Sequence, residues 1–161
     1  MQKKLKIFFF SLVILFVSCG IRAGMKSAIE QTTNYLPYPF KNIDLGMTIS
    51  EFAAIKDTGR MERSNLMTFR REFTEIINKN EVSNATYYFD NDGHIPFYEI
   101  IIEFNEGFNV SEFAQKEYGY PNTGTEWLMD SKKGYNIRIW LFENKLVLAA
   151  EMKGTEWNEN K

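Results

Sequence analysis

The sequence predicts an α+β protein: two tandem α-then-β units, with two short helices packed on one face of an antiparallel sheet of about six strands. Three observations predict it. The phrase Ile49-Ser50-Glu51-Phe52-Ala53 returns 61 positions later as Val110-Ser111-Glu112-Phe113-Ala114. Each copy follows a helix-capping residue, Thr48 or Asn109. Behind each copy come short apolar segments with strand-like alternation, separated by turn-forming residues.

Residues 1–18 read as a lipoprotein signal peptide. Lys3, Lys4 and Lys6 make a basic start, and residues 7–17 form an apolar run. That run is too short for a membrane-spanning helix, which needs about 20 residues, and it suits a leader. Phe16-Val17-Ser18-Cys19-Gly20 resembles the lipobox of bacterial lipoproteins, with a small residue before the cysteine and phenylalanine where leucine is commoner. The resemblance implies cleavage before Cys19, a diacylglycerol on its thiol and an acylated new amino terminus, palmitate being the usual acyl class. Cys19 is also the only cysteine, so an intramolecular disulfide is excluded. Several acyl chains anchor stably where one is marginal, so the expected partner of this end is a membrane, reached through lipid.

With the leader's three lysines removed, the 19 basic residues fall to 16 against 21 acidic ones, a formal −5. That balance argues against nucleic acid, which selects basic surfaces. Residues 19–39 are expected to be the lipidated start and a polar tether ending in Leu36-Pro37-Tyr38-Pro39, an extended path by proline chemistry. A flexible coil of that length would hold the domain roughly 25 Å from the membrane.

The α+β domain is expected at 40–152, unit one at 40–104 and unit two at 105–152. Thr48 and Glu51 have the spacing of a capping box, and Ile49, Phe52 and Ala53 share one helical face of a helix reaching about Lys56. Residues 66–77 fit either period: Leu66, Phe69, Phe73 and Ile76 are helically spaced, whereas Met67, Phe69, Arg71 and Phe73 alternate. Strand is the reading here, to match unit two. Residues 85–89 and 97–104 predict two strands around the turn Asp90-Asn91-Asp92-Gly93. Unit two repeats the plan with a helix at 110–118 and strands at 126–130, 135–142 and 146–152. Residues 153–161 are expected to be a frayed polar tail.

Two features resemble the SmpA/OmlA-type outer-membrane assembly lipoproteins and the β-lactamase-inhibitor-like domains. One is the lipobox followed by Ile43-Asp44-Leu45-Gly46-Met47-Thr48-Ile49-Ser50-Glu51, similar to the Gly-Met-Ser/Thr-x-x-Glu helix start of those families. The other is Gly119-Tyr120-Pro121 with Trp127 soon after, similar to their Gly-x-Pro and following tryptophan. In this chain the two halves of the pattern lie in different units. The resemblance implies α-plus-antiparallel-β units that act by binding other proteins.

Catalytic chemistry is not expected. His94 is the only histidine and sits beside a turn, while Ser50 and Ser111 are helix-start residues. Asp90, Asp92, Gly93 and Glu99 match four positions of a Ca²⁺ loop, but Tyr88 stands where its first carboxylate belongs. A hairpin turn accounts for those residues, so neither metal nor cofactor is expected.

Strand alternation places Tyr98, Ile100, Ile102 and Phe104, and Tyr135, Ile137, Ile139 and Leu141, toward the helices. The opposite face then carries Phe97, Ile101, Arg138, Trp140 and Phe142, rimmed by Glu99 and Glu103. These five are the candidate partner-binding residues, with Trp157 of the tail as the alternative cover. The expected function is a membrane-anchored cell-envelope lipoprotein, at the outer membrane or periplasmic face, binding an envelope protein as an assembly accessory or inhibitor. The alternatives are a small-ligand carrier or hydrolase of the envelope, or a structural surface lipoprotein.

Overall fold

Seven strands and two α-helices make up the described residues of the computed structural model, which are 34–64, 69–90 and 94–158. Their order is α1 (Ile49–Ile55), β1 (Glu62–Ser64), β2 (Arg70–Lys79), β3 (Val82–Asp90), β4 (Glu99–Phe104), α2 (Val110–Tyr118), β5 (Trp127–Asp130), β6 (Asn136–Phe142) and β7 (Lys145–Ala150). A 3-10 turn, Thr58–Arg60, follows α1. The strands form one antiparallel sheet in the order β1-β2-β3-β4-β7-β6-β5. The class is α+β, with seven strands where the sequence suggested about six. The added strand is β1, three residues at the sheet edge (Glu62-Arg63-Ser64) with no apolar alternation to read. Residues 70–79 resolve the helix-or-strand ambiguity in favour of strand.

Both helices start as their caps dictate. At α1 the Glu51 N–H donates to the Thr48 hydroxyl (3.2 Å), and the Glu51 carboxylate accepts from the Thr48 N–H (2.8 Å). At α2 the Glu112 N–H donates to the Asn109 side-chain oxygen (3.1 Å). Gly119, at φ +78°, ends α2 in a conformation open to glycine. The repeated phrase nevertheless packs unequally. Phe52 is completely buried, with ring centroids of Phe73, Tyr87, Phe89 and Phe97 at 4.9–6.4 Å. Phe113 is half-buried against Phe104 and Phe108, and Ala53 is exposed where Ala114 is buried.

The sheet register shows why the core sits where it does. Phe73, Tyr87, Ile100, Leu148, Ile139 and Trp127 are paired strand to strand from β2 to β5, so they lie in one row on one face. All six are buried. Trp127 also donates its indole N–H to the carbonyl of Gly119 (2.9 Å), tying β5 to the end of α2. We call this the front face.

Three expectations are corrected. Residues 34–39 are not a tether: Leu36 is buried, Asn34 donates to the Ile43 carbonyl, and the Tyr118 hydroxyl donates to the carbonyl of Tyr35. The prolines there make a turn, with the Phe40 N–H donating to the carbonyl of Pro37 (2.7 Å). Phe97 is not on the back face. Tyr98 and Glu99 both bond opposite Tyr88, as in a β-bulge, and the extra residue reverses the alternation before Glu99. Phe97 is thus driven into the front core, where it meets Phe52, Tyr87 and Phe89. Tyr98, expected with the front residues, contacts Glu156 of the tail instead. Finally, residues 153–158 are not frayed: Thr155 is buried, and Trp157 lies against Trp140.

Residues 1–33, with Cys19, the expected leader and most of the expected tether, lie outside the described residues, as do Leu66, Met67 and residues 91–93 of the expected turn. Among the described residues no helix is long and apolar enough to cross a membrane.

Candidate functional site: the back face of the sheet

The register that builds the front core fixes the opposite face too. One row there reads Glu72, Tyr88, Glu99, Ala149, Arg138, Leu128 from β2 to β5. The next reads Thr74, Thr86, Ile101, Val147, Trp140, and the third Ile76, Asn84, Glu103, Lys145, Phe142. The C-terminal segment after β7 returns over the first of these rows and part of the second.

Its contacts are specific. The Trp157 indole N–H donates to the Glu99 carboxylate at 2.9 Å, and its ring lies 4.9 Å from that of Trp140, tilted by 55°. Glu156 takes the Arg70 guanidinium at 3.4 Å and the Tyr98 hydroxyl at 3.4 Å. Arg70 itself is set by Glu72 (3.1 Å) and stacks 4.3 Å above the ring of Tyr88. Asn158 donates to the carbonyl of Glu151.

The electrostatics follow from burial. Glu99 is only 3% exposed, and loss of hydration pushes its carboxyl up to about 7. The Trp157 hydrogen bond pulls it back, the Glu156 charge raises it again, Arg70 lowers it and Glu72 raises it. Burial likewise pushes the Tyr88 phenol up to about 12 and moves the Tyr98 phenol further in the same direction. Two carboxylates, Glu72 and Glu156, therefore contact one guanidinium, and the charge of that guanidinium acts on a third and more deeply buried carboxyl, Glu99.

Of the candidate binding residues, Phe97 is in the front core. The other four share the back face but differ in access. Ile101 is half-buried between Thr86 and Val147. Trp140 is half-buried under Trp157, so the tail is its cover. Arg138 forms an ion pair with Glu151 (2.7 Å) and a longer one with Glu126 (3.4 Å). Phe142 alone stands well exposed, at 58%, with Ile76 (59%) at the far end of its row. A groove of about 840 Å³ flanks the tail on the Arg138 side, between Tyr135, Asn136 and Arg138 and the tail's Trp157 and Asn158. A smaller hollow of about 250 Å³ flanks the other side, beside Phe69, Ile95 and Tyr98.

Sequence reasoning missed Glu99, Arg70 and Glu156 as a group. Glu99 was legible only as a rim charge, because nothing local signals that a tail nearly sixty residues away will bury it. His94 is exposed, with its backbone N–H donating to Asp90 at 3.3 Å. Among the described residues no set of three His, Cys, Asp or Glu side chains is gathered as a metal site. Compared with known proteins, the chain matches no family model, no curated protein and no solved structure.

Proposed function

We propose that this protein is a lipid-anchored component of the bacterial cell envelope that works by binding another envelope protein, as an assembly accessory or inhibitor, not by catalysis. On this reading Cys19 carries the anchor, the two helices close the front face, and the outer rows of the back face meet the partner. The observation that carries it is the exposure of Phe142 and Ile76 at the two ends of one row. Between them lie Asn84, Glu103 and Lys145, and Ile101 and Val147 fill the adjacent row. Large apolar side chains set among paired charges are the composition of protein interfaces, where a few aromatic anchors dominate affinity.

The second reading, an envelope hydrolase or small-ligand carrier, is favoured by Glu99, a carboxyl that burial raises to about 7, the range that suits a general acid. Against it, the indole of Trp157 already takes the Glu99 carboxylate.

A photo-crosslinking residue at position 142 tests the binding reading in cells, with the same residue at Tyr120, which is 83% exposed, as control. A discrete protein adduct is expected at 142 and not at 120. Adducts at 120 with none at 142 would overturn the assignment. Cys19→Ala should abolish lipid labelling and membrane retention while leaving the domain folded, and equal retention of both forms would remove the anchor from the proposal.

A further inference from the structure

The segment that returns over the back face is held differently from a strand. Its backbone turns on itself, with Thr155 N–H donating to the Met152 carbonyl (3.1 Å) and Asn158 N–H to the Thr155 carbonyl (3.2 Å). Its hold on the sheet runs through side chains: Trp157 on Glu99 and Trp140, Glu156 on Arg70 and Tyr98. Gly154, at φ +96°, is the bend by which the segment leaves β7, and hollows flank it on both sides.

We propose that residues 154–158 form an exchangeable strap, and that the slot beneath it receives a turned segment of a partner protein bearing a Glu-Trp pair in place of the strap. The proposal rests on the protein-binding reading above and names the chemistry of the partner. The slot is selective. Glu99 requires an aromatic side chain with an N–H to donate, Trp140 supplies a ring for it to lie against, and Arg70 requires a carboxylate one residue earlier. Phenylalanine would fill the space and leave the Glu99 carboxylate without its donor, a costly arrangement in a buried place.

Contacts outside the strap shape the slot, which is therefore expected to persist when the strap leaves: Arg70 pairs with Glu72 and stacks on Tyr88, and Trp140 sits in β6 opposite Val147. Release therefore leaves a preformed site, and what a partner must supply is the same indole and carboxylate with further contacts in the groove beside Arg138. The strap acts as an internal competitor, lowering apparent affinity by the fraction of time the slot is closed.

The test uses a fluorescently labelled peptide with the sequence of residues 152–158 and the full chain, wild type and Trp157→Ala. The peptide is expected to bind Trp157→Ala at least about tenfold more tightly than wild type, because the slot is open in the variant. A peptide with its tryptophan replaced by phenylalanine is expected to lose that binding. Equal affinity for both chains, or no binding to a folded Trp157→Ala chain, overturns the proposal. So does cooperative unfolding of Trp157→Ala, since a segment whose loss unfolds the sheet is not exchangeable. A concentration-dependent dimer of wild type that Trp157→Ala abolishes would make a second copy the occupant and overturn the foreign partner. Adducts at position 142 that persist through a negative peptide result would leave the broader binding reading standing.

Discussion

Glu99 shows how much one side chain's surroundings decide. The folded chain holds its proton more tightly than the unfolded chain, in which a glutamate titrates near 4.5. The contribution to stability is therefore full below pH 4.5 and is lost as the pH rises to about 7. The slope is at most about 1.4 kcal/mol per pH unit, and Trp157 and Arg70 oppose it. Urea melts at pH 4.5, 6 and 8 should show wild type weakening across that window and Glu99→Gln losing most of the slope. Gly46 makes a second, steric case. It sits at φ +96°, and a Cβ there would lie 2.6 Å from the Tyr135 hydroxyl, which donates to the Leu45 carbonyl at 2.7 Å. Gly46→Ala should cost about 1–3 kcal/mol from backbone strain, with the clash added. In a Tyr135→Phe background the penalty should shrink, so the double-mutant cycle should be less than additive.

At the level of elements, the helix starts were the most legible part of the sequence, because capping is local chemistry read from residues three apart. Val110–Tyr118 appears as the spacing predicts, and α1 ends at Ile55, one residue short of Lys56. The alternation of β6 was legible for the same reason: Ile137 and Ile139 are buried and Trp140 looks the other way. Phe97 was misplaced because alternation carries no mark of the bulge at Tyr98 and Glu99. The cover of Trp140 by Trp157 was legible as the alternative, whereas the strap's polar partners across the sheet were not, and neither was β1, whose residues are defined by an edge pairing with β2. The repeated phrase carries its own measurable asymmetry. Phe52→Ala, emptying a site enclosed by four aromatic rings, should cost about 3–5 kcal/mol. Phe113→Ala, at a half-buried site, should cost about half as much, and equal denaturant midpoints for the two variants would contradict the packing described.

Across the described residues, each helix is followed by an antiparallel meander, β1-β2-β3-β4 or β5-β6-β7, and the two last strands, β4 and β7, meet in the middle. The outermost strands are short, three residues in β1 and four in β5, which limits sheet-to-sheet association at the edges. Half of the candidate site was legible in these terms: the back face was identified, and Phe142 and Ile101 lie on it. The covered half depends on the tail, whose Trp157 was read as the alternative cover of this face and whose Glu156 was not read at all. Because β7 pairs with both β4 and β6, a chain ending at residue 144 should show no protected core. Limited proteolysis should degrade such a chain throughout, whereas removal of residues 1–33 should leave a resistant fragment.

The central position of β7 also sets a clock. Synthesis runs from one end of the chain to the other, and the seam that joins the two meanders pairs residues 99–103 with 145–149, so it cannot form until β7 has been made as well as β4. Contacts of such long sequence separation close late and slowly. Until β7 arrives, β4 is left as an open edge of the first meander.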